Sequence, residues 1–217
     1  MSTILLFKDC ITIFEAVAAV TGFITWNKWK NHYFKWVPIY LLVLVFCECA
    51  GYYLGLTKNY DAVKTLYMFF VIPFEISFIC WLFYRNLSAR FKSLVVILWV
   101  TYFISMILDH ILFDGKDYVF MSLSYTVGNA VILILVLCYF YTLLLSAGIL
   151  HFKSDIMFWI SAGLLIFYLG TFPYYGLYNT MAKHYMGSFI SYTWVMIFLN
   201  YAMYILFTIG FICGKAK

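Results

Sequence analysis

A chain of 217 residues that is 66% hydrophobic and only 11% charged, with mean hydropathy +0.95 and formal net charge +5, lies far from the roughly 45–50% apolar and about 25% charged make-up of soluble domains. These figures exclude a soluble globular domain, a disordered chain and a disulfide-rich secreted module. At roughly 20 apolar residues per spanning helix, the hydrophobic fraction matches a single all-α domain over 1–217. That domain is a polytopic bundle of seven transmembrane helices, with no room for a kinase, nucleotide-binding or DNA-binding domain.

In chain order, the apolar runs predict helices over 4–26, 37–56, 65–84, 93–113, 119–146, 156–177 and 188–213. The runs are continuous, without the ten-residue apolar–polar alternation of a membrane barrel. No basic segment precedes the first run, so it reads as a span and not as a removable signal peptide.

The first span carries Lys8 and Asp9 in its outer third and Glu15 near its middle. Ala18 and Gly22 form a small-residue pair on it. The loop after it holds Lys28, Lys30 and Lys35, among Trp26, Trp29, Tyr33 and Trp36. Those aromatics fit an interfacial belt, as do Tyr174, Tyr175 and Tyr178 at the end of the sixth span. The second span places Glu48 near its middle and Gly51 and Gly55 near its outer end. The third carries Glu75 two residues after Pro73, which has no N–H to give the preceding turn and predicts a kink.

Further along, Tyr102, Ser105 and Asp109 share a face of the fourth span, with His110 adjacent. Ser122, Tyr125 and Asn129 share a face of the fifth, and Asn200, Tyr204 and Thr208 a face of the seventh. Gly210 and Gly214 end the seventh, where small residues let helix backbones approach. The six cysteines all fall in apolar runs and read as small buried hydrophobes.

Basic residues in short loops set orientation. Lys28, Lys30, Lys35, Arg85, Arg90, Lys92, Lys153, Lys215 and Lys217 belong to one side. Lys8, Lys58, Lys64, Lys116 and Lys183 belong to the other, diluted by Asp9, Asp61, Asp114 and Asp117. This places the N-terminus outside and the C-terminus in the cytoplasm. The positive charge is a topology signal, and no nucleic-acid partner is expected.

A charge facing lipid at mid-bilayer costs at least about 2.5–3.5 kcal/mol, so membrane-depth acids are functional candidates. The expected ligand- or cation-binding set is Glu15, Glu48, Glu75, Asp109, His110, Asn129, Asn200 and Tyr204, lining one polar cavity. The alternative is that each carboxyl is protonated or paired with Lys8, and that the polar stripes join helices. Four histidines, of which only His110 is near a span interior, do not make a zinc site. No motif points to a cofactor.

Seven helices with the N-terminus outside are also the frame of the rhodopsins. A retinal protein needs a lysine in its last helix, and the last span here has none. Four function classes stay open. The first is a binding or sensing module acting with a membrane partner. The second is a proton- or cation-coupled transporter or channel. The third is a lipid-modifying enzyme using Asp109 and His110, and the fourth a structural subunit of a complex.

The stretch Asn59-Tyr60, Leu66-Tyr67-Met68, Ile72-Pro73-Phe74-Glu75 and Phe83-Tyr84-Arg85 resembles the third helix of small seven-helix membrane proteins common in Bacteroidota. Tyr139-Phe140-Tyr141-Thr142-Leu143-Leu144 with Phe158-Trp159-Ile160, and Leu199-Asn200-Tyr201 with Ile209-Gly210-Phe211, are similar to their fifth, sixth and last helices. The resemblance implies a bacterial inner membrane. It brings no activity and no functional residues.

Overall fold

The structure, a computed structural model, describes residues 2–113 and 122–215, with the side chains of 2–6, 8, 9, 113, 122, 147–149 and 179 outside the description. Ten α-helices make up nearly all of it: α1 (Ser2–Ile24), α2 (Trp26–Trp29), α3 (Trp36–Leu56), α4 (Tyr60–Leu66), α5 (Ile72–Asn86), α6 (Ala89–Phe113), α7 (Ser122–Leu144), α8 (Ile156–Gly176), α9 (Tyr178–His184) and α10 (Met186–Cys213). No strand occurs among the described residues; Asp155 and Lys215 form an isolated bridge.

Six stretches are long and apolar enough to cross a membrane: Tyr33–Leu56, Tyr60–Asn86, Ala89–Leu112, Leu123–Leu144, Ile156–Gly176 and Met186–Cys213. Helix α1 adds the apolar stretch Cys10–Ile24. The molecule is therefore a helical membrane bundle. Its many exposed Ile, Leu, Val and Phe side chains, such as Ile24, Phe46 and Ile111, form the surface offered to lipid. The start of the fifth span, expected at Val119, lies outside the described residues, as do Lys116, Asp114, Asp117 and Lys217.

Helix α1 packs between α3 and α10; α10 packs on α8, α8 on α7, and α7 on both α6 and α5. Small residues set these approaches. A Cβ on Gly22 would lie 2.7 Å from the Pro38 ring, so α1 meets α3 there. Gly163 and Gly170, two turns apart on α8, admit Phe207 and Leu199 of α10. Gly55 has nothing within 4 Å, so only the Gly51 end of that pair makes a close approach.

The loops rich in lysine and arginine meet at one end of the bundle. There Lys28 Nζ donates to the Ile212 carbonyl at 2.8 Å, a cation on the C-terminal turn of α10. Lys215 N–H donates to the Ser154 carbonyl at 2.9 Å. Asn86 Nδ2 donates to the Tyr33 hydroxyl at 2.9 Å, and Arg85 lies over the Tyr33 ring.

The aromatic belt is only partly at the interface. Trp36 is exposed, but Trp29 is fully enclosed against Phe34 and Phe211, its Nε1 donating to Thr25 Oγ1. Tyr174 is buried too and hydrogen-bonds Thr193. The cysteines also divide: Cys47 and Cys80 are buried, Cys10 and Cys138 partly so, and Cys49 and Cys213 are exposed.

The third span is not one regular helix. Between α4 and α5, residues Tyr67–Val71 form a wide π-type turn in which Ile72 N–H reaches back to the Tyr67 carbonyl. Pro73 then occupies the first turn of α5, where a missing N–H is tolerated. The expected kink is thus a π turn, a feature often found at functional sites.

Candidate functional site

Three glutamates occupy the middle of the bundle, and each faces a tyrosine from a different element. On α3, Glu48 Oε2 accepts from the Tyr67 hydroxyl at 2.7 Å. Gly51, one turn further along α3, makes this possible: a Cβ there would stand 2.8 Å from the Tyr67 hydroxyl and ring. The π turn carries Tyr67 to that position.

On α5, Glu75 Oε1 accepts from the Tyr168 hydroxyl of α8 at 2.8 Å. On α1, Glu15 is only 1% exposed, and its carboxyl interacts with the Tyr204 phenol of α10. Its Oε1 has no hydrogen-bond partner. The Tyr40 phenol of α3 lies in electrostatic range of both Glu15 and Glu75.

The three carboxyls act on one another. Glu15 feels Glu48 and Glu75, and Glu75 feels Glu48. No lysine or arginine among the described residues is part of that set. The Lys8 side chain, the expected counter-charge, lies outside the described residues. Burying a carboxylate without a cation beside it costs several kcal/mol.

The acids do not meet at a single point. No group of three His, Cys, Asp or Glu side chains among the described residues is placed to hold a metal ion. The space at the centre is small as well. A cavity of about 10 Å³ touches Glu75, Tyr40 and Tyr204, room for about one water molecule. The arrangement is three carboxyl–phenol pairs in mutual electrostatic contact. A phenol both donates and accepts a hydrogen bond, and a carboxyl accepts or donates according to its proton. Such pairs are suited to holding and exchanging protons.

The other expected site residues do not join this centre. Asp109 is 2% exposed, and its Oδ2 accepts from the Ser124 N–H at 2.8 Å. Ser124 is the third residue of α7, so Asp109 caps the start of a neighbouring helix. A carboxylate suits that position electrostatically. His110 lies on the exposed face of α6, edge-on to Phe69. Buried Asp109 and exposed His110 therefore leave α6 on different faces. Asn200 Nδ2 donates to the Met196 carbonyl of its own helix at 3.0 Å. Asn129 is fully buried on α7, with neither Oδ1 nor Nδ2 hydrogen-bonded. Tyr204 alone of the non-carboxylate candidates belongs to the central group.

Tyr40, Tyr67 and Tyr168 were not distinguishable in the sequence. With 20 tyrosines in the chain, a phenol at membrane depth carries no mark of its partner. The one available signal was Pro73, which perturbs the helix that presents both Tyr67 and Glu75. Compared with known protein families, with curated proteins and with solved structures, the chain matches none.

Proposed function

We propose that this protein is a proton-binding module of the membrane interior, in which Glu15 and Glu75, in electrostatic contact with Glu48, share protons and report proton availability to a partner membrane protein. One observation carries the reading. The Glu15 carboxyl is buried, has an oxygen without a hydrogen-bond partner, and has two other carboxyls but, among the described residues, no cation in its electrostatic surroundings. Desolvation disfavours a charge left in this way, and a proton is the ligand that removes it.

The small central cavity supports a proton over an organic ligand. The absence of a three-ligand cluster among the described residues supports a proton over a metal ion. The loops that join the helices within the described residues are short, so a change of state is read within the bilayer by a neighbouring membrane protein. The basic end faces the cytoplasm in this account, in a bacterial inner membrane. Proton or cation transport is the competing use of the same acids.

Two measurements on the full chain separate these uses. In detergent, a step from alkaline to neutral pH produces proton uptake that Glu15→Gln diminishes. In liposomes loaded with a pH dye, the wild type shows no sustained proton flux under an imposed potential. Sustained flux abolished by Glu15→Gln would replace sensing by transport. Uptake unchanged by Glu15→Gln would remove the proton site.

A further inference from the structure

The surroundings of Glu75 differ on the two sides of the midplane. Toward the basic end, the cavity beside it is walled by Val37, Leu41, Ile79, Leu82, Ile160 and Phe207. Beyond these lie the fully enclosed rings of Trp29, Phe83 and Phe211. Besides Glu75, the polar residues lining this cavity are Tyr40 and Tyr204, and the apolar remainder of its wall offers a proton no acceptor.

Toward the opposite end the side chains are polar. Tyr168 donates to Glu75 and lies in electrostatic range of Tyr125 on α7. The Tyr125 phenol is hydrogen-bonded to that of Tyr175, with ring centroids 4.0 Å apart. Tyr175 in turn adjoins Tyr174, whose ring meets Tyr178 at the start of α9.

Along the bundle axis, Asn129 lies at a level between those of Tyr125 and Tyr168. It sits one turn from Tyr125 on the same face of α7. Helices α7 and α8 run antiparallel, with Tyr125 against Tyr175 and Phe140 against Phe158. That register sets Asn129 level with Thr171, one turn from Tyr168. Its amide is 0% exposed, and neither polar atom has a partner. Buried polar groups of this kind are met by ordered water, which typically makes about three hydrogen bonds.

We propose that Tyr168, a water molecule held by Asn129, Tyr125 and Tyr175 form a one-sided proton path between Glu75 and the membrane face at α9. The path rests on the proton-binding reading above. A proton from bulk water adds to the Tyr175 oxygen as that phenol passes its own proton to Tyr125. The same exchange moves through Tyr125, the water and Tyr168 to Glu75 Oε1. The carboxylate becomes a carboxylic acid, every phenol ends neutral, and bulk water supplies the proton. Asn129 orients the water and transfers nothing.

The test uses the full chain in lipid and follows the infrared C=O band of protonated carboxyls, taking the part that Glu75→Gln removes. On transfer to D2O, Tyr125→Phe and Asn129→Leu each slow the isotope shift of that band at least about tenfold, equivalent to about 1.4 kcal/mol of barrier. Tyr125→Phe removes one oxygen and leaves the ring to pack. Ser161→Ala, which removes a buried hydroxyl near the basic end of α8, leaves exchange unchanged. Unaltered exchange in both path variants overturns the path, as does slowing by Ser161→Ala alone. If the wild type shows no protonated-carboxyl band that Glu15→Gln or Glu75→Gln reduces, the proton-binding reading falls and takes the path with it.

Discussion

Single side chains in this bundle separate structural acids from the candidate functional ones. Asp109 and Glu15 are almost equally buried, at 2% and 1%, yet their surroundings differ. Asp109 meets a backbone N–H at the positive end of α7, while Glu15 keeps an unpartnered oxygen beside two other carboxyls. Asp109→Ala should therefore lower stability by about 0.5–2 kcal/mol, the cost of a lost helix cap, as read by thermal melting in detergent. His32, outside the spans, gives a second prediction. Burial, and then the nearby Arg85 charge, hold its imidazole below the ordinary value of 6.5, and its Nδ1 is buried without a partner. The folded state thus favours neutral His32, while the unfolded chain takes up a proton near its ordinary value. That contribution to stability is complete above about pH 6.5 and is lost as the pH falls toward the folded-state value. Melting temperature measured from pH 7.5 down to about 5 should fall less steeply in His32→Gln than in the wild type.

At the scale of elements, the third span shows how far a sequence pattern reaches. Its apolar run and Pro73 announced a perturbed helix. A proline does not state whether the helix bends or widens, because that depends on what the neighbouring helix offers. Here α3 offers Glu48 with Gly51 beside it, and the π turn brings Tyr67 onto both. A π turn adds a residue, and one residue of α-helix is about 100° of rotation. Pro73→Ala permits a regular helix, which turns Tyr67 away from Glu48. The double variant Glu48→Cys, Tyr67→Cys should form a disulfide readily with Pro73 present and much less readily with Pro73→Ala. Equal cross-linking in both backgrounds would show that the packing against Gly51, and not the proline, sets the π turn. Of the small-residue pairs read in the sequence, Gly22, Gly51 and Gly210 admit a neighbouring helix, as do Gly163 and Gly170, which no such pair marked. Gly55 has the same spacing and no neighbour, because a spacing rule records which faces are small and not which faces meet.

For the whole molecule, composition sufficed to read a helical membrane bundle, and the helix positions followed from apolar runs. The depth of Glu15, Glu48 and Glu75 was legible too, because depth is position along a span. Which candidates would converge was not legible, since that requires the rotation of every helix about its axis. The seven continuous apolar runs hardly encode that rotation: in α6, α7 and α8 the hydrophobic residues surround the helix almost evenly. Thus one cavity lined by eight residues was expected, and three glutamate–tyrosine pairs are found, with Glu75, Tyr40 and Tyr204 on a space for about one water. Trp29 illustrates the same limit, an interfacial ring by sequence and a sealed core plug in the fold. The central claim is that the buried carboxyls hold protons, and infrared spectroscopy of the full chain in lipid at neutral pH tests it most directly. The account predicts a protonated-carboxyl C=O band in the wild type that shrinks in Glu15→Gln and disappears in the triple variant Glu15→Gln, Glu48→Gln, Glu75→Gln. A wild type without that band, or a triple variant that retains it in full, would contradict the account.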